Sequence, residues 1–134
     1  MAEANVKWVS GGTYIGVDST QHSVVLSSPA DNIGMKPSEM LLVALASCTA
    51  VDVVSISAKR KQPLDSLEIQ VKAEQDENPP WPFRKIHLHY VAKGEGLTDK
   101  TLEQAIQLSE EKYCSVAATV RGVAEITTSY EVLG

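Results

Sequence analysis

Two cysteines are the residues of this chain that are best suited to chemistry. Cys48 lies within a long apolar run, residues 40–51, and Cys114 lies where one helical pattern ends and a shorter one begins. A thiol near a helix N-terminus meets partial positive charge, which favours the thiolate. We therefore predict a redox pair, in which one thiol is oxidised to a sulfenic acid and the other resolves it as a disulfide.

The surroundings of each cysteine leave simpler interpretations open. A free cysteine often acts as a small buried hydrophobe, and either thiol could do so in this chain. For Cys114, the following Ser115 is a candidate N-cap of a short helix, whose free N–H groups would lower the thiol pKa of Cys114. Cys48 and Cys114 are 66 residues apart, which excludes a CxxC redox motif and most zinc motifs.

Asp52 is the acidic residue nearest to Cys48. It follows Cys48 by four residues, so a helix places both side chains on one face. A carboxylate in an apolar helix needs a hydrogen-bond partner or must stay protonated. Asp52 is therefore a candidate to accept a proton from Cys48, to orient a base, or to bond the backbone of a partner subunit.

Two histidines form a second candidate cluster. His87 and His89 are two residues apart and share one face of a predicted strand. They could bind a metal together, but no third ligand is evident in the sequence, so we predict no metal site. No glycine-rich phosphate loop or serine nucleophile elbow is present, and we expect no cofactor.

Composition sets the class of protein. The chain has 134 residues and a net charge of −5, and we predict one domain over residues 1–134. A mildly acidic chain, with a pI near 5.1, is unsuited to nucleic acid or to an anionic membrane. Residues 1–7 contain no apolar segment typical of a signal peptide, so we expect a cytoplasmic protein with reduced thiols.

Periodicity predicts the order of the elements. Three short strands cover residues 5–10, 13–17 and 23–27, and a long helix starts at Pro37 and ends near residues 59–61. A hairpin follows at 67–73 and 86–90, then a helix capped by Thr98 with Leu102, Ala105, Ile106, Ser109 and Tyr113 on one face. A short helix at 115–121 and a strand at 125–132 complete an α+β pattern.

The long helix is nearly long enough to cross a bilayer, which needs about 20 apolar residues. Polar side chains interrupt residues 40–58, and Asp52 alone would cost several kcal/mol at a bilayer centre. We therefore expect this helix to be buried in a core or an interface rather than in a membrane.

Four stretches in this order resemble the OsmC/Ohr family and, within it, the YhfA-like subgroup. They are residues 37–48, 52–56, 109–116 and 126–132, so the resemblance covers essentially the whole chain. It implies an OsmC-like fold: an N-terminal β-meander, a long buried central helix, a β-hairpin, further helices and a closing strand. It also implies an intertwined homodimer with two active sites at the interface.

The resemblance also implies an activity. Known members reduce organic hydroperoxides in oxidative stress defence. Cys48 matches the family's peroxidatic cysteine and Cys114 its resolving cysteine. The partners implied are a hydroperoxide substrate and an external dithiol, such as a lipoylated protein, that reopens the disulfide.

The chain departs from the family's pattern at three positions. The peroxidases have a catalytic arginine in the N-terminal strands, whereas no arginine precedes Arg60 in this chain. Ser38 stands where the family has a glutamate, and Glu39 follows it as a further candidate catalytic residue. Cys48 lies nine positions after Glu39, a rotation of about 900° at ~3.6 residues per turn, so the two point to opposite sides of a helix. Ser115 replaces the family's proline after the resolving cysteine.

Three functional hypotheses remain open at this point. The first is a thiol-dependent hydroperoxide reductase. The second is a dimer without peroxidase activity that responds to redox conditions or binds a small ligand. The third is an unrelated α+β enzyme, such as a hotdog-type thioesterase with Asp52 as its base.

Overall fold

The elements of a computed structural model, which describes residues 1–134, follow the predicted order. They are β1 (Ala4–Ser10), β2 (Thr13–Asp18), β3 (Ser23–Ser27), α1 (Pro37–Lys59), β4 (Ser66–Gln75), β5 (Phe83–Lys93), α2 (Asp99–Leu108), a π-helical turn (Ser109–Tyr113), α3 (Ser115–Val120) and β6 (Glu125–Val132). The predicted α+β class is confirmed, and the π-helical turn is an element that the sequence did not predict.

The contacts of the chain fall into two compact units, residues 1–43 and residues 44–134. The first unit contains an antiparallel sheet in the order β1-β2-β3, and every residue of β1 is exposed. The carboxylate of Asp31 accepts a hydrogen bond from the Gly12 N–H at 2.7 Å, which ties the loop after β3 to the β1–β2 turn. The single domain expected over residues 1–134 stays a prediction.

The second unit contains a sheet in the order β4-β5-β6. The β4–β5 pair is an antiparallel hairpin, whereas β6 pairs with β5 in parallel because the helical segment between them carries the chain back across the sheet. One face of β5 is buried, as its alternating pattern predicts, and presents Ile86, Leu88, Tyr90 and Ala92.

The opposite face of β5 carries the two histidines. The Nδ1 of His87 hydrogen-bonds the Thr127 hydroxyl at 2.7 Å, and its Nε2 hydrogen-bonds the Ser129 hydroxyl at 2.8 Å. His89 meets Ser129 at 2.7 Å through Nδ1 and lies 3.5 Å from Glu131 through Nε2. The ring nitrogens therefore hydrogen-bond across the parallel β5–β6 pair.

Helix α1 presents two different faces along residues 44–59. One face is buried and consists of residues spaced one turn apart: Leu45, Thr49, Val53 and Ser57. Thr49 Oγ1 on this face lies 2.9 Å from Tyr90 Oη on β5. The other face leaves Val51 70% and Val54 46% exposed. By length and composition alone, α1 could span a membrane. Its buried stripe and its hydrogen bond to β5 show instead that it belongs to the folded core of the same unit.

Candidate active site

The two thiols meet between α1 and the start of α3. Cys48 lies on α1 and is half-buried, whereas Cys114 is only 2% exposed. The Cys114 thiol donates a hydrogen bond to the Cys48 sulfur, and both cysteines are reduced. Two thiols 66 positions apart in the sequence are therefore within hydrogen-bonding reach of each other.

The Cys48 sulfur is surrounded by hydrogen-bond donors. Burial raises the energy of its thiolate, but hydrogen bonds from the Cys114 thiol, the Val116 N–H, and the hydroxyl and N–H of Ser115 outweigh it. Their combined effect lowers the pKa of Cys48 below that of an ordinary thiol. Three of these donors belong to the first turn of α3, where N–H groups have no partner within the helix.

Cys114 has the opposite electrostatic character. Burial raises the pKa of its thiol to about 11, and the hydrogen bond to Cys48 adds to the effect. Cys114, rather than Ser115, is the N-cap of α3, since its sulfur accepts a hydrogen bond from the Ala117 N–H at 3.4 Å. The prediction that Ser115 caps the helix and that Cys114 has the lowered pKa was therefore wrong. The N–H groups of Ala117 and Val116 do lower the pKa of Cys114, but burial outweighs them. At Cys48, on the other helix, the donors outweigh burial.

We expect the two thiols to react with iodoacetamide over different pH ranges. Because its pKa is lowered, Cys48 should be modified with a midpoint below that of a free cysteine under the same conditions, whereas Cys114 should react only near pH 11. Mass mapping at a low extent of modification, over a pH series, assigns the label to each site. Modification of Cys114 at a lower pH than Cys48 would contradict this assignment of the two pKa shifts.

Asp52 finds its partner within the same chain. Its Oδ2 accepts a hydrogen bond of 2.7 Å from the Ser109 hydroxyl, and Ser109 is fully buried. The carbonyl of Ser109 accepts a second bond, 2.7 Å from the Cys114 N–H, which closes the π-helical turn. Asp52 therefore connects the helix that carries Cys48 to the turn that leads to Cys114.

Comparison with known proteins identifies the family of the chain. A family model described as OsmC-like protein matches residues 29–129. Protein YhfA of Escherichia coli strain K12 is 38% identical over 131 residues, which cover 98% of both chains. The chain belongs to the OsmC-like family.

Solved structures show the same OsmC-like fold. A hypothetical protein from Aquifex aeolicus VF5 matches with a TM-score of 0.90 and 34% identity, over 99% of this chain and 96% of that one. An organic hydroperoxide resistance protein OsmC from Legionella pneumophila, described as a predicted redox protein, matches with a TM-score of 0.71 over 98% and 97%. At 15% identity, the second likeness shows the fold alone.

The arginines of this OsmC-like protein are engaged in other interactions. Arg60 donates to the Gln104 side chain, Arg121 donates to a backbone carbonyl, and Arg84 forms an ion pair of 3.3 Å with Asp76. The donors to the Cys48 sulfur are instead a thiol, a hydroxyl and two N–H groups. In this OsmC-like protein, thiol, hydroxyl and backbone groups of the same chain therefore stabilise the Cys48 thiolate, and no arginine of the chain is among the donors.

The candidate Glu39 lies in the first turn of α1. Its carboxylate forms an exposed ion pair of 3.1 Å with Lys36, three residues earlier. A negative charge at a helix start is favourable in its own right. The structure thus gives Glu39 a helix-start interaction, and its catalytic role stays a prediction.

Proposed function

We propose that this OsmC-like protein reduces organic hydroperoxides through a disulfide cycle between Cys48 and Cys114. The observation that carries the proposal is the contrast between the two thiols. Cys48 has a lowered pKa and receives a hydrogen bond from Cys114, whose own pKa is raised. The thiolate is the nucleophile in peroxide chemistry, so the first attack is assigned to Cys48.

The proposed cycle balances in atoms and electrons. The Cys48 thiolate attacks the outer oxygen of the peroxide, so an S–O bond forms and the O–O bond breaks. The departing alkoxide takes a proton from the Cys114 thiol and leaves as the alcohol. The Cys114 thiolate then attacks the Cys48 sulfur, and the S–O bond breaks. The departing hydroxide takes a proton from solvent, which replaces the one that Cys48 released on ionising, and an external dithiol reduces the disulfide.

The raised pKa of Cys114 suits this order of events. A thiol with a pKa of about 11 stays protonated at neutral pH, so it does not compete with Cys48 for the peroxide. It is nevertheless much more acidic than an alcohol, and it can protonate the leaving alkoxide at short range. Cys114 becomes a nucleophile only when the resolving step needs one.

The proposal includes a homodimer built on the exposed face of α1. Val51 and Val54 are 70% and 46% exposed although α1 is apolar over most of its length. An apolar helix face of this kind is normally covered by protein when the helix is part of a soluble fold. Since the other face of α1 lies on β5 of its own chain, a second copy of α1 is the proposed cover.

The activity is tested by turnover of cumene hydroperoxide with dihydrolipoamide as the reductant. We expect consumption of the dithiol that depends on peroxide and is proportional to protein concentration. Glutathione, a monothiol, serves as the comparison and should support slower turnover. An absence of reaction at the thiols on exposure to peroxide would contradict the proposed activity.

A second function is favoured by the distribution of arginines. The side chain of each arginine contacts a group other than Cys48, so no guanidinium of the same chain is placed to assist the peroxide. A protein of this kind could act as a redox-responsive dimer that oxidises once and does not turn over. One equivalent of disulfide per chain without continued dithiol consumption would establish that alternative.

A further inference from the structure

A closed ring of interactions connects the two thiols. From Cys48, one turn of α1 leads to Asp52, whose carboxylate accepts the hydrogen bond of 2.7 Å from Ser109. From Ser109, the π-helical turn leads to Cys114, whose N–H donates to the Ser109 carbonyl at 2.7 Å. The hydrogen bond from Cys114 to Cys48 completes the ring.

Each of the two sides of this ring is about one helical turn. Four residues of α-helix advance by about 6 Å, from Cys48 to Asp52. The facing side is a single π-helical turn from Ser109 to Cys114. Its hydrogen bond joins residues i and i+5, so the turn contains one residue more than an α-helical turn. That extra residue changes the direction of the chain at Cys114, which leaves the helical conformation and caps α3.

We propose that Ser109 and Asp52 are positioning residues that hold Cys114 and the first turn of α3 against Cys48. The inference rests on the proposed pairing of the two thiols. Ser109 uses its hydroxyl and its carbonyl for this purpose, and its complete burial keeps water from competing for the hydroxyl. Loss of the hydroxyl would leave Asp52 without that partner and would allow the turn to move.

The expected effect appears in the closing of the disulfide. Two groups held in a reactive geometry react faster than mobile ones, and small displacements are costly. We expect Ser109→Ala to slow disulfide closure by about tenfold. We also expect it to shift the alkylation midpoint of Cys48 upward, because the donors at residues 114–116 lose their fixed position.

The substitutions at Asp52 separate positioning from charge. Asn in Asp52→Asn still offers an oxygen to Ser109, whereas Leu in Asp52→Leu fills a similar volume without an acceptor. We expect Asp52→Asn to behave like the wild type within about twofold and Asp52→Leu to behave like Ser109→Ala. If Asp52 acts through its charge alone, both variants should lower the alkylation midpoint of Cys48 equally.

The matched control is Ser57→Ala. Ser57 is also fully buried in the second unit of the chain, but its hydroxyl has no hydrogen-bond partner. The same change of serine to alanine at this site should leave both the closing rate and the Cys48 midpoint unchanged. A general loosening of the core would instead affect Ser57→Ala and Ser109→Ala alike.

The experiment uses diamide, so it does not require peroxidase activity. The Cys48 thiolate adds to the N=N bond, and Cys114 then displaces the resulting hydrazide to form the disulfide. At saturating diamide, the rate of thiol loss reports the closing step. Slow closure in Ser109→Ala and Asp52→Leu with normal closure in the other two variants supports the inference. Equal rates in all four variants overturn it, whatever the wild type does with cumene hydroperoxide.

Discussion

Replacement of Cys48 with serine is expected to lower cumene hydroperoxide turnover by about a hundredfold or more. The serine hydroxyl is not ionised at neutral pH, so the variant lacks the thiolate that attacks the peroxide. The hydrogen-bond donors that stabilise the Cys48 thiolate would then face a neutral hydroxyl. Peroxide loss, followed in parallel with dithiol consumption, measures the effect.

The variants of Cys114 provide the comparison for this prediction. Cys114→Ser keeps a hydroxyl donor beside Cys48, whereas Cys114→Ala removes it. Both variants should lose the resolving step and accumulate a Cys48 sulfenic acid that dimedone traps. Only Cys114→Ala should also raise the pKa of Cys48 clearly, because the hydrogen bond from Cys114 is one cause of its lowering. Turnover that persists in Cys48→Ser would refute the assignment of the first attack.

Substitution of Val51 with glutamate is expected to convert the proposed dimer into a monomer or an insoluble protein. Val51 is 70% exposed in the single chain and lies on the apolar face of α1. A charge buried without a partner in a protein interface costs several kcal/mol, which is comparable to the stability of a whole domain. Sedimentation at micromolar concentration gives the oligomeric state directly.

Val123→Glu is the matched control for the dimer. Val123 is 57% exposed, and it lies in the turn after α3 rather than on α1. This variant should sediment as the wild type does. A wild-type chain that sediments as a stable folded monomer, or a Val51→Glu variant that remains dimeric, would show that this face of α1 does not carry the interface.

The sequence predicted those parts of the structure that depend on local patterns. Pro37 marks the start of α1, Thr98 caps α2, and alternation along residues 86–90 identifies the buried face of β5. The resemblance supplied the fold, which the family match confirms. The first three features are encoded within one helical turn or one strand. The fold was recognised from sequence motifs that follow one another in the order typical of the family.

The site depended on contacts between distant segments. Asp52 and Ser109 are 57 positions apart, and nothing in either segment identifies the other. One signal was available, since Ser109 is a polar residue on the predicted apolar face of α2 and needs a buried partner. The π-helical turn has no recognisable sequence signal, and neither do the hydrogen bonds that bring Ser115 and Val116 at the start of α3 to the Cys48 sulfur.

The central claim is tested most directly by counting and mapping the thiols of the reduced protein before and after exposure to cumene hydroperoxide. The account predicts the loss of two thiols per chain and a peptide pair that joins Cys48 to Cys114 within one subunit. No loss of thiols, or a disulfide between subunits in place of this one, would contradict it.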